Sequence, residues 1–234
     1  MSSAPASLGT IAASLAGIRA RIARACDRAR RDPADILLVG VTKTIPVDLI
    51  RAALDAGLSH LGENRVQEAI SKMRELSDRA PTWHLIGHLQ TNKARLAAET
   101  FDRIESVDSL KLALALEEEA EEIGRELRVF LQGNVGAEES KHGVPLAGLA
   151  ALAGDIEAQC PRVTITGVMA IPPPRATPED SRADFRLARA AFEELRASRP
   201  QVRHLSMGMS ADFELAIDEG ATEVRVGTAL FGRR

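Results

Sequence analysis

Lys43 ends an unbroken apolar run. The stretch Ile36 to Pro46, ILLVGVTKTIP, carries no charge from Ile36 to Val41, then presents Thr42 and Lys43 before Pro46 opens the next segment. This pattern predicts a buried strand delivering one amine at its C-terminal end. A buried ammonium is costly unless paired or neutralised, and a lysine of depressed pKa is the usual amine of Schiff-base chemistry. Taken by itself, the run fits a solvent-facing lysine better, because most lysines are exposed.

Other chemistry-bearing residues fall after later apolar runs. In GENRVQE (62 to 68), Asn64 is expected to cap the following helix, with Gln67 completing a capping box, and a ligand contact by Asn64 is an added hypothesis. In WHLIGHLQTNK (83 to 93), His84 and His88 have metal-ligand chemistry. On an extended strand that interval separates them by about 13 Å, too far for one ion, so buried or capping roles are expected. Gly87 between them permits a sharp turn or a close approach, and Thr91 or Asn92 is placed to begin a helix. Asn134 closes the run ending Gln132-Gly133-Asn134 and is expected to point inward, whereas the charged cluster Glu138 to Gly143 reads as a solvated loop.

Ser206, Ser210, Gly227 and Thr228 lie just before or at helix starts, where exposed backbone N–H groups bind anions, and they form a candidate phosphate cradle. Ordinary N-capping by Ser210 is the competing reading. Arg225 sits between Val224 and Val226 in a short strand. If the valines face helices, Arg225 points inward and needs a partner, either a cofactor ring nitrogen or a salt bridge to Glu63 or Glu223.

Eight short apolar runs supply the strands: Ile36 to Thr42, Ser59 to Leu61, Trp83 to Ile86, Arg103 to Val107, Arg128 to Asn134, Thr164 to Met169, His204 to Ser206 and Glu223 to Val226. Helical patterns fall between them, at Val47 to Ala56, Arg65 to Leu76, Asn92 to Ala98, Leu110 to Ile123, Leu146 to Ala158, Pro178 to Ser198 and Ala211 to Asp218. Alternating strands and helices imply parallel pairing, and eight such units close a (β/α)8 TIM barrel. An open doubly wound sheet is the runner-up, disfavoured because no GxGxxG follows the first strand.

Ahead of the first strand, Ile11, Leu15, Ile18, Ile22, Ala25 and Ala29 recur at helical spacing, with arginines opposite, predicting an extra N-terminal helix over about 7–31. The single expected domain is 1–234. PPPRATP (172 to 178) reads as a surface loop on the substrate side.

Net charge is −3 with a pI near 6.0, which advertises neither nucleic acid nor an anionic membrane as a partner. Cys26 and Cys160 have no metal or disulfide spacing, and a reducing cytoplasm fits them best. No run is long enough for a membrane span. The Ala, Ser and Arg content of residues 1 to 31 resembles a transit peptide, but its helical spacing favours a structural helix. Tyrosine is absent, which excludes any mechanism needing a phenol from this chain.

These segments together resemble the alanine-racemase-like pyridoxal-phosphate homeostasis protein family, of the YggS/PROSC type. The resemblance runs in order through VTKTIP (41 to 46), GENRVQE, WHLIGHLQTNK, QGNVGAEESKHG (132 to 143), GVMAIPPP (167 to 174), LSMGMSADFELAI (205 to 217) and VRVGTALFG (224 to 232). It implies a barrel like the N-terminal domain of alanine racemase. It further implies that pyridoxal 5'-phosphate is held as an aldimine on Lys43, that Ser206, Gly227 and Thr228 hold the phosphate, that Arg225 lies by the pyridine nitrogen, and that Asn64 lies near the cofactor. Thr42, Ile45, Arg65 and Gly133 depart from residues common in the family; none is an implied aldimine or phosphate ligand.

An arginine beside the ring nitrogen disfavours pyridine protonation and weakens the electron sink. Alanine racemase also uses a tyrosine base and a C-terminal β-domain; this sequence has no tyrosine and ends at Arg234, soon after its eighth strand. The expectation is therefore a monomeric cofactor-binding protein of little or no turnover, serving pyridoxal phosphate homeostasis and supply, with apo forms of pyridoxal-phosphate enzymes as partners. An amino-acid racemase using Lys43 with His204 or a water is the rival, and a class I aldolase-like Schiff-base enzyme stands further off.

Overall fold

The computed structural model describes residues 8–136 and 142–232. Most of the charged cluster after Asn134 lies outside these residues. Eight parallel strands form the body: β1 (Leu37–Val41), β2 (His60–Glu63), β3 (Thr82–Leu85), β4 (Arg103–Val107), β5 (Leu127–Asn134), β6 (Val163–Ala170), β7 (His204–Ser206) and β8 (Glu223–Val226). Each pairs with the next, and β8 returns to β1, so the sheet closes into the (β/α)8 barrel that the alternation predicts. The pair Val144–Pro145 lies beside the end of β5 as a short addition.

Closure fixes which residues share the mouth. Val39 aligns with Arg225 and Gly40 with Val226, so Lys43 and Gly227 follow the C-terminal ends of adjacent strands. Ser206 aligns with Glu223 across β7 and β8.

The outer layer contains α2 (Val47–Asp55), α3 (Val66–Glu75), α4 (Ala94–Thr100), α5 (Leu110–Ile123), α6 (Leu149–Gln159), α7 (Arg182–Ala197) and α8 (Phe213–Asp218). Three expected helices open with a 3-10 turn, Thr91–Lys93 before α4, Leu146–Gly148 before α6 and Pro178–Ser181 before α7. The four-residue α9 (Thr228–Phe231) is too short to show a period in sequence.

The leading helix α1 spans Leu8–Ala29 and buries the expected stripe of Ile11, Leu15, Ile18, Ile22 and Ala25. Full burial of each large aliphatic side chain is worth about 1.5–3 kcal/mol. Arginines on α1 latch it to the barrel layer: Arg21 binds Glu214 at 2.7 Å, and Arg19 donates to the Gly57 carbonyl at 2.6 Å. The helix ends before Arg30, at φ 55°, and Asp32 then accepts from Ala34 N–H to start a short Pro33–Asp35 turn. Cys26 and Cys160 are free, buried thiols. Among the described residues, no helix is long and apolar enough to cross a membrane.

Candidate functional site

Beyond β1 the chain is gripped by its backbone. Thr42 N–H donates to the Gly62 carbonyl at 2.9 Å, and the Thr42 hydroxyl donates to Glu63 Oε1 at 2.6 Å. From α3, the buried Lys72 ammonium reaches back to Glu63 Oε1 and Glu68 Oε1, each at 2.7 Å, and to the Thr42 carbonyl. Glu68 also accepts the Thr44 N–H. That bond holds Thr44 at φ 60°, an uncommon conformation for a β-branched residue.

Lys43 is thus fixed on both sides of its Cα while its side chain is half-buried. Among the described residues, no hydrogen bond or ion pair engages its ammonium. Burial raises the Glu63 pKa against the lowering effect of Lys72 and Thr42. The Glu63–Lys72–Glu68 clamp escaped the sequence reading; the i,i+4 spacing of Glu68 and Lys72 was the available signal.

A second network fills the barrel. Arg225, 4% exposed, donates to Ser206 Oγ at 2.7 Å and to the Ala170 carbonyl at 3.0 Å. Ser206 donates onward to Glu105 Oε2 at 2.8 Å, and Glu105 Oε1 lies 2.6 Å from His84 Nδ1. His84 Nε2 in turn meets His60 Nδ1 at 3.0 Å.

Arg225 therefore does point inward, but neither carboxylate named from sequence makes its hydrogen-bonded partner. Glu63 is committed to Lys72, and Glu223 faces Arg225 and Arg103 through space, its Oε2 lying 3.6 Å from Arg103 Nη1. Glu105 reaches Arg225 through Ser206. The Ser206 hydroxyl is wholly buried inside this column, between Arg225 and Glu105.

Burial dominates the titration of the column. It lowers His60, His84 and His204 to about 4, so their rings are neutral near pH 7. With Nδ1–H of His84 donating to Glu105, its Nε2 accepts from His60. Burial, then the neighbouring Glu105, pushes Glu223 up to about 8 from an ordinary 4.5. A carboxyl so raised favours the folded state fully below pH 4.5, and that contribution is lost as pH climbs through 8. Glu223→Gln is accordingly expected to gain stability relative to the native protein between pH 4.5 and 8, read from urea midpoints; a constant difference would refute the buried proton.

The rim beyond β7 and β8 presents amides. Ser210 does not cap its own helix, since α8 starts at Phe213 and Asp212 instead accepts from Met209 N–H. Its Oγ accepts from Gly227 N–H and Ala229 N–H, both at 3.2 Å. Gly208 makes this return possible, with φ 89° and Cα packed so closely that a Cβ would lie 2.5 Å from that of Ala216. The Thr228 side chain is exposed beside these amides.

Two expectations at the rim change. α3 is capped by Arg65 without a side-chain bond, so Asn64 does not form the anticipated capping box. Asn64 follows β2 with its backbone pressed against Gly87, where a Cβ would fall 2.3 Å from the Asn64 carbonyl oxygen. Gly87 thus serves a protein contact. Asn134 lines a cleft of about 660 Å³ with Gln132, Met209, Asp212 and the 172–178 loop; Lys43 is not among its walls. Arg175 in that loop is pinned to Asp184 by two hydrogen bonds of 2.8 Å.

The closed parallel barrel thus brings a strand-end lysine and the Gly227 and Ala229 amides to the same mouth. The family model "Alanine racemase, N-terminal domain" matches residues 14–234. The pyridoxal phosphate homeostasis protein of Pseudomonas aeruginosa is 45% identical over 227 residues, covering 97% of either chain. PipY of Synechococcus elongatus, solved with pyridoxal phosphate bound, superposes with a TM-score of 0.82 at 44% identity, covering 95% of this chain and 100% of that one. Alanine racemase from Corynebacterium glutamicum shares the fold, with a TM-score of 0.73 at 17% identity over 97% of this chain and 62% of its own. The chain belongs to the pyridoxal phosphate homeostasis protein family.

Proposed function

We propose that the protein binds pyridoxal 5'-phosphate through a covalent bond to Lys43 and serves cytoplasmic pyridoxal phosphate homeostasis, with little or no turnover. The observation carrying this reading is the Lys43 amine, fixed by its backbone and engaged by no hydrogen bond or ion pair among the described residues, beside the strand end where the Gly227 and Ala229 N–H groups converge on Ser210 Oγ. Bound pyridoxal phosphate supplies an aldehyde that an amine attacks and a ring that withdraws electrons.

The donor set fits that group. The Gly227 and Ala229 N–H groups now held by Ser210 Oγ point at one oxygen, as they would at a phosphate oxygen, and the Ser210 and Thr228 hydroxyls add further donors. Ser210 thereby takes the phosphate role that the family resemblance gave to Ser206. Arg225, in its column, remains a cation against the ring nitrogen, and Asn64 flanks the cofactor.

Ser210→Ala and Thr228→Val are each expected to weaken retention of the phosphate form by about 1.5–3 kcal/mol while changing pyridoxal binding little. Ser206→Ala, acting through Arg225, should alter both forms alike. Equilibrium dialysis of the two vitamers distinguishes these outcomes.

Low turnover is supported by the lack of tyrosine and by the position of His204. This histidine opens β7 at its N-terminal end and stacks on Phe130 at 5.6 Å, two residues before Ser206, whereas Lys43 follows the C-terminal end of β1. It is not placed as a second base, which disfavours the racemase, and family membership disfavours the aldolase. The monomeric holoprotein would then donate cofactor to apo forms of pyridoxal-phosphate enzymes. The test is to mix it with such an apo-enzyme and to assay D- and L-amino acids. Activity returning faster than with free cofactor supports supply; racemisation at ordinary enzyme rates overturns the reading.

A further inference from the structure

The mouth of the barrel gathers a second donor set that the cofactor reading leaves unused. His88 follows β3, Asp108 is the first residue after β4, and His142 precedes the Val144–Pro145 pair beside β5. One ligand atom from each lies within 4.8 Å of the other two. His88 Nδ1 is 3.6 Å from Asp108 Oδ2, and the two imidazoles stack with centroids 3.6 Å apart and planes 7° from parallel.

We infer that His88, Asp108 and His142 bind a divalent transition ion of the zinc class. Two imidazoles and a carboxylate are a common donor set for an ion that keeps positions open to water. Bonds of about 2.0–2.2 Å would draw the ligand atoms to roughly 3.4 Å apart, a contraction of at most about 1.4 Å from the present spread. The stacked rings must also turn, because lone pairs in parallel planes do not converge on one ion. Both histidines are exposed and Asp108 is half-buried, so side-chain rotation suffices without moving the barrel.

Another triad, His84, Glu105 and Glu223, meets the same spacing. It is fully buried, and its His84 and Glu105 atoms already serve the Ser206–Arg225 column. The exposed triad is therefore the one with room. His84 and His88 thus belong to separate clusters, in keeping with their separation along the chain.

The site is tested with tag-free, full-length protein freed of metal by a chelator and titrated with Co2+, then Zn2+. One equivalent of Co2+ is expected to give visible ligand-field absorption that Zn2+ abolishes by displacement. His88→Ala and His142→Ala should each weaken binding about tenfold or more, with Asp108→Asn also weakening it. In the unmutated protein, Zn2+ should shield His88 and His142 from carbethoxylation, mapped by peptide mass spectrometry. Absence of stoichiometric binding, binding unchanged in both histidine variants, or carbethoxylation unaffected by Zn2+ would overturn the site.

Discussion

Lys43→Ala is expected to abolish covalent cofactor attachment. Purified native protein, treated with borohydride, should carry a reduced cofactor adduct on the peptide containing Lys43, and the variant should carry none while keeping its fold. The fold is expected to survive because the backbone around residue 43 is held by Thr42, Thr44, Glu68 and Lys72, and among the described residues no side-chain bond of Lys43 contributes. The amide-lined rim remains, so the variant should still bind pyridoxal phosphate reversibly and more weakly. An adduct of native yield on another lysine, Lys72 included, would refute the role of Lys43.

Arg225→Leu is expected to cost about 3–5 kcal/mol of stability at pH 8, because removing one partner of a buried charge network strands the others. Glu105 and Glu223 would face each other across β4 and β8 without the guanidinium that now offsets them. Both carboxyls already titrate above their ordinary range through burial. Loss of Arg225 raises them further, so the deficit is smaller at pH 5, where Glu223 is protonated, and grows as pH climbs toward 8. Urea midpoints at the two pH values, with unchanged m-values, measure this directly. Adding Glu105→Gln should recover part of the loss at pH 8. Equal deficits at both pH values would mean that Arg225 acts by packing instead of charge.

The architecture was legible because each strand is a short apolar run and each helix repeats at three and four. The barrel count, the α1 stripe and the inward turn of Arg225 all follow from those periods. Partnerships between distant segments were not legible. Glu105 lies 101 residues from Ser206, and only barrel closure brings them together. Ser206 and Ser210 look equivalent in LSMGMS, yet Gly208 turns the chain between them, sending one hydroxyl into the barrel and the other to the rim. Asn64 had the composition of a helix cap, but the close contact of its backbone with Gly87 left the cap position to Arg65.

The column from His60 through His84, Glu105 and Ser206 to Arg225 draws one side chain from each of five strands. Its members therefore cannot drift singly. A leucine at any one position strands the neighbour's lone pair or proton in a dry interior, whereas a matched exchange of two adjacent members can keep the pairing closed. The centre of this barrel is therefore one interlocked unit assembled from five separate stretches of the chain.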